Sequence, residues 1–232
     1  MKQILTKENT QRVFRCSEFL IKTLTKDNTI TYFNEKYNDY YHSQIGAMKE
    51  AIEKYASFLE KDSNIIDFCF GLGYNTIATI KKAVEKNFKI NLIALENDLD
   101  ILNKIKEIDL PESYGEFEKS KKIVEEFVKN KEFKNNLLNL KLIFGNALET
   151  IDEIEDNFAD LIFFDPFSPK KQVEMWSEDI FRKVFSKLKK NGKLLTYSSS
   201  KQVRETMKKV GFKVEDGPIV GRWAPMSVGV KE

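Results

Sequence analysis

Histidine and cysteine are almost absent from this chain of 232 residues. It contains one histidine, His42, and two cysteines, Cys16 and Cys69. Two cysteines cannot build a disulfide framework, and a structural zinc site needs about four histidine or cysteine ligands. We therefore expect reduced thiols and no bound metal.

Long apolar runs are missing as well. No stretch approaches the roughly 18 apolar residues of a membrane-spanning helix, and Met1 to Thr10 lack the apolar region of a signal peptide. Hydrophobic residues make up 41% of the chain and charged residues 32%, which is typical of a well-solvated protein with one substantial core. These features predict a cytoplasmic protein, for which we favour a monomer.

A strong charge of one sign is also lacking, since the formal net charge is +2. That is too small to indicate a nucleic-acid partner by itself. The charge is unevenly distributed, however, because residues 182–213 contain eleven Lys or Arg and a single acid, Glu205. This basic stretch is either a phosphate-facing surface or the solvent faces of two amphipathic helices, and the sequence leaves both interpretations open.

The N-terminal part of the chain is patterned as a small β-structure. Residues 20–34, LIKTLTKDNTITYFN, alternate apolar and polar side chains around a turn-like Lys26-Asp27-Asn28-Thr29, which predicts a β-hairpin. Helical spacing of apolar residues follows from Ser43, a possible N-cap, to Leu59. We therefore predict an N-terminal β-hairpin extension over residues 1–42, which partly covers a site, and a main domain over residues 43–232.

Strands and helices then alternate along the main domain. Short apolar runs predict buried strands at residues 65–70, 92–95, 140–144, 161–164 and 193–197, with helices between them at 75–85, 99–106, 114–129 and 178–188. This rhythm indicates an α/β fold with a parallel sheet. Two late runs, 211–214 and 226–230, suit an antiparallel pair at a sheet edge. The prediction is a Rossmann-like, seven-stranded, mostly parallel sheet with an antiparallel edge strand, which is typical of methyltransferases rather than dehydrogenases.

A glycine-rich turn follows the first strand of that domain, in the segment DFCFGLGYN from Asp67 to Asn75. Gly71 and Gly73 allow the backbone to turn sharply and approach a ligand at the carboxyl end of the strand. A dinucleotide fingerprint places a third glycine where Thr76 stands, so the motif argues against NAD. Without further support, the two glycines are also compatible with an ordinary strand-to-helix turn.

Two later strands end in polar side chains that suit an adenosine group. Glu96 lies 23 residues after Gly73, where a carboxylate can accept both hydrogen bonds of a ribose diol. Asn146, followed by Ala147, is placed to accept a bond from the exocyclic amine of adenine. The alternative is that Glu96 and Asn146 merely cap the helices that follow.

The fourth strand ends in Phe163-Phe164-Asp165-Pro166-Phe167-Ser168-Pro169, with one carboxylate at the mouth of an apolar strand. The prolines stiffen the loop and present Asp165 and Phe167 in a fixed geometry. A methyl group moves by in-line displacement, so the protein mainly aligns the partners and excludes water. For an amine acceptor, Asp165 would hold the ammonium form and act as a base or relay to one. Its alternative role is that of a cap on the next turn.

Together these segments resemble the methyltransferase domain of the MnmC-like enzymes, which complete 5-methylaminomethyl-2-thiouridine at the tRNA wobble position. The resemblance rests on DFCFGLGYN, GNALETI, FDPFSPKKQVEMWSEDIF, KLLTYSSSKQVRETMKKVGF, GRWAPMSVGV and, upstream, YFNEKYNDYYHSQIGAMKEA, and so covers roughly residues 30–232. It implies transfer of a methyl group from S-adenosyl-L-methionine to the amine of 5-aminomethyl-2-thiouridine in tRNA. The chain has no segment for the flavin-dependent oxidase module of bifunctional members, which implies a stand-alone methyltransferase.

The resemblance also implies roles for individual residues. Those expected at the cofactor are Asp67, Phe70, Gly71, Gly73, Asn75, Glu96, Asn97, Asn146, Ala147 and Asp165. Asp165 and Phe167 are the expected catalytic residues, and Tyr41, Pro169, Trp176 and Arg222 are expected at the uridine and its phosphate. For Phe167 and Trp176, core packing is an equally good interpretation. Asn146 stands where the family more usually has Asp.

Two other functions remain open on the sequence. One is an aminopropyltransferase of the spermidine synthase type, because Asp39-Tyr40-Tyr41-His42-Ser43 is similar to its Tyr-His entry segment. Against it, Ser43 stands where a second acid is expected, and Lys170 and Lys171 make the loop after Asp165 basic. The other is a tRNA-binding or cofactor-binding module without turnover, since a fold does not by itself establish catalysis.

Overall fold

The computed structural model describes residues 20–221 and 223–232. Residues 1–19, which include Cys16 and the segment Met1 to Thr10, lie outside the described residues, and so does Arg222. The expectations that concern these positions therefore have no structural counterpart here. Cys69 carries a free thiol.

The first element is a small antiparallel sheet of three strands, where the sequence predicted a two-stranded hairpin. Its strands are β1 (Leu20–Leu24), β2 (Ile30–Asn34) and β3 (Asp39–Tyr40), in that order. The predicted turn joins β1 to β2, with Asn28 at a φ of 62°. The third strand arises because the chain turns again after β2 and pairs Tyr40 with Phe33. Two residues of alternation are too few to predict such a strand.

The main sheet has eight strands in the order β10-β11-β9-β8-β4-β5-β7-β6. They are β4 (Ser63–Phe68), β5 (Ile90–Glu96), β6 (Glu132–Lys134), β7 (Leu138–Phe144), β8 (Ala159–Phe164), β9 (Leu188–Thr196), β10 (Lys213–Asp216) and β11 (Ser227–Val230). The pairings among β4, β5, β7, β8 and β9 are all parallel. The predicted Rossmann-like, mostly parallel sheet is thus confirmed.

The strand count and the edges differ from the prediction. The extra strand is β6, which forms an antiparallel hairpin with β7 and makes one edge of the sheet. At the other end, β11 is antiparallel to β9 and to β10, so the antiparallel strand lies inside the edge strand. The pairing of the two late strands is as predicted. The strand β6 was missed because Glu132-Phe133-Lys134 is short, charged and mostly exposed.

Helices cover both faces of the sheet. They are α1 (Ala47–Glu50), continued by a π-helical turn (Ala51–Tyr55) and a 3-10 turn (Ala56–Phe58), α2 (Tyr74–Lys86), α3 (Leu99–Lys104), α4 (Glu118–Asn130), α5 (Ala147–Thr150), α6 (Glu178–Lys187) and α7 (Lys201–Val210). Further 3-10 turns occupy Ile105–Glu107, Glu112–Phe117, Ile151–Glu153 and Val173–Trp176. Apolar residues alternate between two cores, with Ile65 in one and Ile66 in the other. In the ranges 20–221 and 223–232, no helix combines the length and hydrophobicity needed to cross a membrane.

The first helix begins later than the sequence predicted. It starts at Ala47, after Gly46, whereas Ser43 was expected as the N-cap. The Ser43 hydroxyl instead accepts a bond from the Ile45 amide, 3.3 Å away, within the preceding loop. Gly46 has a φ of 153°, and a Cβ there would lie 2.4 Å from a carboxylate oxygen of Asp27. The close approach of the β1–β2 turn therefore fixes where the helix begins.

Candidate functional site

A cavity of about 1110 Å³ opens at the carboxyl ends of the parallel strands. Its wall is formed by the residues that follow β4, β5, β8 and β9, together with the start of α5. The small N-terminal sheet and α1 close the other side. Binding at the carboxyl ends of parallel strands is the rule for open α/β sheets, so this cavity is the candidate active site.

The glycine turn after β4 is tied to Glu96 at the end of β5. The Gly71 amide donates to Glu96 Oε2 at 2.7 Å, while the amides of Asn97 and Asp98 each donate to Oε1 at 2.8 Å. Gly71 has a φ of 57° and Gly73 one of 74°, in the region that favours glycine. Burial raises the pKa of Glu96, and the three amides oppose that shift. Glu96 thus holds the turn in place and still lines the cavity.

Tyr41 connects the small sheet to this turn. Its hydroxyl donates to Asp98 Oδ2 and accepts from the Asn34 amide at 3.1 Å. A Cβ at Gly71 would lie 3.3 Å from the Tyr41 ring, so the ring rests directly against the glycine turn. Burial, followed by the charge of Asp98, raises the pKa of Tyr41 and keeps the phenol neutral. Asp98 also caps α3, which is the role that was left open for Glu96.

Asp165 lies at the end of β8, facing the start of α2. Its Oδ2 accepts a hydrogen bond from the Asn75 side-chain amide at 3.0 Å. Tyr55, from the π-helical turn, faces the same carboxyl group, although its hydroxyl has no hydrogen bond of ordinary geometry among the described residues. Burial raises the pKa of Asp165, and the Asn75 amide and His42, when its ring is protonated, act in the opposite direction. The side chain therefore faces its neighbours across the site and does not cap the next turn.

The loop after Asp165 is held by aromatic packing. The Phe167 ring stacks on Tyr37 with the centroids 4.7 Å apart and meets Tyr41 edge-on at 4.9 Å. The Ser168 amide donates to Asp39 Oδ2 at 3.0 Å, which ties the loop to β3. The small sheet and the loop after β8 thus form one continuous wall of the cavity.

The cavity is more acidic than the sequence suggested. Six carboxylates line it, from Asp39, Glu50, Glu96, Asp98, Asp100 and Asp165, against the ammonium groups of Lys36, Lys54 and Lys170. Lys54 is buried and forms an ion pair with Glu50, so it neutralises one of the six. An excess of carboxylates in a partly enclosed space favours a cationic ligand group.

The structure brings nine of the predicted site residues to the cavity: Tyr41, Gly71, Asn75, Glu96, Asn97, Ala147, Asp165, Phe167 and Pro169. The other predicted site residues that the structure describes do not line the cavity. Asp67 is buried and accepts from Thr76 at 2.7 Å. Phe70 packs against Phe127, and its ring fills the space beside Gly73.

Asn146 and Trp176 are also outside the cavity lining. Asn146 caps α5 by accepting a bond from the Leu148 amide at 3.2 Å, which is the capping alternative left open by the sequence. Trp176 is buried against Phe164, and its indole N–H donates to the Phe167 carbonyl at 2.8 Å. Trp176 therefore supports the loop after β8 and does not reach the cavity.

Several lining residues were missed, among them Asp98, Tyr37, Tyr55 and His42. Asp98 had a usable signal, since it stands two positions after Glu96 at the end of the same strand. The other three come from segments upstream of the main sheet, and nothing in their spacing indicates where the tertiary fold places them.

The basic stretch of residues 182–213 is largely paired with acids. Eight of its eleven cations form ion pairs: Arg182, Lys183, Lys187, Lys189, Lys201, Arg204, Lys209 and Lys213. Lys189, near the start of β9, pairs with Asp160 at the end of the sheet opposite the cavity. The interpretation as solvent faces of amphipathic elements is therefore favoured over a phosphate-facing surface.

This fold and this site define an S-adenosyl-L-methionine-dependent methyltransferase. The family model of that description matches residues 114–232, and the chain belongs to that family. Its cofactor is S-adenosyl-L-methionine. Within the family the chain is an MnmC-like methyltransferase domain, as its relatives indicate.

The curated relatives match most of this chain, whereas this chain matches only part of each relative. An uncharacterized protein of Methanocaldococcus jannaschii is 31% identical over 214 residues, covering 89% of this chain and 58% of that protein. The bifunctional protein MnmC of tRNA 5-methylaminomethyl-2-thiouridine biosynthesis from Campylobacter fetus is 29% identical, covering 79% of this chain and 31% of that protein. The chain thus spans less than two thirds of the length of these curated relatives.

Solved structures agree with this placement. The crystal structure of MnmC2 from Aquifex aeolicus superposes with a TM-score of 0.77 at 32% identity and covers 90% of this chain and 70% of that one. A spermidine synthase bound to a transition-state analogue superposes with a TM-score of 0.50 at 12% identity, over 92% of this chain and 73% of that one, which shows a shared fold alone.

The residues of the cavity fit the cofactor and an additional polar ligand. Three buried polar atoms in the lining, His42 Nε2, Tyr55 Oη and Asp100 Oδ2, have no hydrogen-bond partner among the described residues. Buried polar groups are normally paired, so these atoms indicate ligand positions. Among the described residues, no cluster of histidine, cysteine, aspartate and glutamate could hold a metal ion.

Proposed function

We propose that this chain transfers a methyl group from S-adenosyl-L-methionine to the primary amine of 5-aminomethyl-2-thiouridine at the wobble position of tRNA, giving 5-methylaminomethyl-2-thiouridine. The observation that carries the proposal is the Asp165 carboxyl group, held by Asn75 at the wall of an acidic cavity. The names of the MnmC relatives supply the acceptor. An amine with its positive charge suits such a site better than a neutral hydroxyl acceptor.

The cofactor is proposed to bind along the glycine turn. Glu96 already accepts three backbone amides, which leaves one lone-pair position, on Oε2, for a ribose hydroxyl. Gly71 lets the backbone approach the ligand, and Asn97 and Ala147 line the neighbouring part of the cavity, with Ala147 beside the adenine. Four other predicted residues do not line the cavity and act by holding this turn and the start of α5: Asp67, Phe70, Gly73 and Asn146.

When bound, the cofactor supplies an electrophilic methyl group on a positively charged sulfur. Asp165 and Asn75 hold the incoming amine in line with that methyl group, which converts an encounter between two molecules into a reaction of aligned partners. Phe167, fixed by Tyr37 and Tyr41, excludes water from the line of transfer. The amine reacts as its neutral form, so a proton must leave before the nitrogen attacks.

The division of the chain is also a proposal. Residues 1–42 are the extension that covers the site, and residues 43–232 are the methyltransferase domain. The contacts Asp39 to Ser168 and Tyr41 to Asp98 support this division, since both join the extension to the catalytic side. The tRNA is proposed to approach this mouth, where Lys36 and Lys170 line the cavity and Pro169 stiffens the loop. Arg222 is kept as a proposed phosphate contact.

Mass spectrometry of wobble nucleosides tests the function directly. Purified protein is incubated with S-adenosyl-L-methionine and tRNA that carries 5-aminomethyl-2-thiouridine. Appearance of the methylaminomethyl nucleoside is the expected result, and an Asp165→Asn variant run in parallel controls for contaminating enzymes. Absence of the product, with cofactor binding demonstrated by calorimetry, would leave a methyltransferase with a different acceptor.

An aminopropyltransferase is the second candidate, and the six carboxylates of the cavity are the observation in its favour. The same protein is therefore incubated with putrescine and decarboxylated S-adenosyl-L-methionine. We expect no spermidine, because two curated relatives that match 79% and 89% of this chain carry the MnmC name. Formation of spermidine at a rate above that of tRNA methylation would reverse the assignment.

A further inference from the structure

The single histidine of the chain lies in the wall of the cavity. His42 is only 8% exposed, and its Nε2 has no hydrogen-bond partner among the described residues. A buried and unpaired ring nitrogen is unfavourable unless a ligand completes it. His42 is one of the residues that line the cavity. We therefore expect a group of the bound substrate to supply the missing hydrogen-bond partner of Nε2.

The fold holds His42 firmly. Its backbone amide donates to the Thr31 hydroxyl at 3.0 Å. Its ring meets Tyr74 edge-on, with the centroids 5.0 Å apart, and the Tyr74 hydroxyl is fixed on the Ile30 carbonyl at 2.8 Å. The imidazole therefore has a defined orientation, which a group that exchanges protons requires.

Charged groups from three directions act on this ring. They are Asp165 after β8, Glu50 in α1 and Asp27 in the turn between β1 and β2, all of which favour the protonated imidazole. Burial acts in the opposite direction and is the largest influence, so the pKa of His42 lies below its ordinary value. At neutral pH the ring is therefore a free base, with carboxylates placed to stabilise the imidazolium that it forms.

From this geometry we infer that His42 accepts the proton that the acceptor amine must lose, while Asp165 holds the amine in place. The inference rests on the proposed function and assigns a step that it leaves open. The alkylammonium group transfers one proton to His42 Nε2 and becomes a neutral amine. The nitrogen lone pair then forms the bond to the methyl carbon as the carbon–sulfur bond breaks. The products are a secondary ammonium ion, a neutral thioether and an imidazolium that later releases its proton to water.

Tyr55 completes the amine position. Its hydroxyl is buried beside Asp165 and has no hydrogen bond of ordinary geometry among the described residues, so it offers a second contact to the nitrogen. Burial raises its pKa well above the ordinary value, which keeps the phenol protonated. Of the His42 and Tyr55 side chains near Asp165, only the imidazole is a base at neutral pH.

The first test is the pH dependence of methylation by His42→Gln. Loss of a general base is expected to lower kcat by about 10²-fold at pH 7. The deficit should shrink by nearly tenfold for each pH unit above that, because the amine then loses its proton to solvent unaided. Tyr74→Phe is the matched control, since it keeps the ring that contacts His42, removes only the hydroxyl bond to the Ile30 carbonyl, and should scale the rate equally at every pH. A His42→Gln profile parallel to that of the wild type would overturn the inference.

The second test does not depend on turnover. A tag-free protein with ¹⁵N-labelled histidine gives one imidazole signal set, because the chain has one histidine. Addition of the nucleoside 5-aminomethyl-2-thiouridine with S-adenosylhomocysteine should shift the Nε2 resonance, and Asp165→Asn should lower the pKa of the ring. Unchanged His42 resonances would overturn the inference, even if His42→Gln fails to fold. A wild type that does not methylate tRNA would refute the proposed function, whereas the Nε2 response still decides the role of His42 toward an amine.

Discussion

The most distinctive stability prediction concerns Asp67, a buried acid near the carboxyl end of the central strand β4. Its side chain is 0% exposed; Oδ2 accepts from Thr76, and Oδ1 has no partner among the described residues. Burial raises the pKa of Asp67 from 3.8 to about 8, with the charges of Asp165 and Glu96 adding to the shift. The folded protein therefore keeps this carboxyl protonated at pH 7, whereas the unfolded chain does not.

The sign of the effect follows from proton linkage. Between pH of about 4 and about 8 the folded state binds one more proton than the unfolded state, so the free energy of unfolding falls as the pH rises. Each pH unit lowers it by about 1.4 kcal/mol. From pH 5 to pH 8 the free energy of unfolding falls by about 4 kcal/mol. Below pH 4 it no longer depends on the titration of Asp67, because the carboxyl group is protonated in both states.

Asp67→Asn removes this linkage while keeping the shape of the side chain. Its stability relative to the wild type should improve by about 4 kcal/mol between pH 5 and pH 8. For a domain of this size that corresponds to a relative shift in Tm of about 8 to 16 °C. Differential scanning calorimetry at each pH measures it, and Asp109→Asn, an exposed carboxyl, is the matched control. Parallel curves of Tm against pH for the wild type and Asp67→Asn would refute the reasoning, since they would mean that Asp67 is ionised in the folded protein.

Three further predictions concern function. Glu96→Gln should weaken binding of S-adenosylhomocysteine by about 10- to 100-fold in calorimetry. The reason is that a side-chain amide cannot accept from three backbone amides and from the ribose together. An unchanged Kd would place the ribose elsewhere. Asp165→Asn should lower kcat by about 10²-fold or more with little change in cofactor affinity, and undiminished methylation would remove Asp165 from the mechanism. Lys189→Glu combined with Lys190→Glu should leave tRNA affinity and its salt dependence within about twofold, since this end of β9 lies opposite the cavity. A clearly reduced salt slope in filter binding would return the basic stretch to the tRNA surface.

The side of the cavity formed by the strand ends is the part that the sequence could predict, because that side is local in the chain. Gly71, Glu96 and Asp165 each follow a buried apolar strand, and parallel strands bring their carboxyl ends to one edge. The fold class follows from the same alternation of strands and helices. Strand β6 was beyond this reasoning, since three exposed residues carry no periodic signal.

The covering side of the cavity could not be predicted, because it is made by long-range contacts. Tyr37 stacks on Phe167 and Tyr41 bonds to Asp98 across large separations in sequence. Trp176 shows the opposite case, a residue that the resemblance placed at the uridine. In the structure its indole N–H donates to the Phe167 carbonyl, and the side chain supports the loop after β8 without lining the cavity. Spacing along the chain indicates which residues share an element, but not which face of a cavity each one reaches.

The sequence by itself determined the parallel α/β sheet, the glycine turn and the carboxylates at the ends of the strands, because hydrophobic periodicity and turn chemistry are local properties. Only the tertiary structure decided that His42 and Tyr55 lie close to Asp165 and that eight of the eleven cations of residues 182–213 are paired with acids. Burial and electrostatic environment depend on what packs against a side chain from elsewhere in the chain, and they set whether a histidine is a surface group or a base in the site.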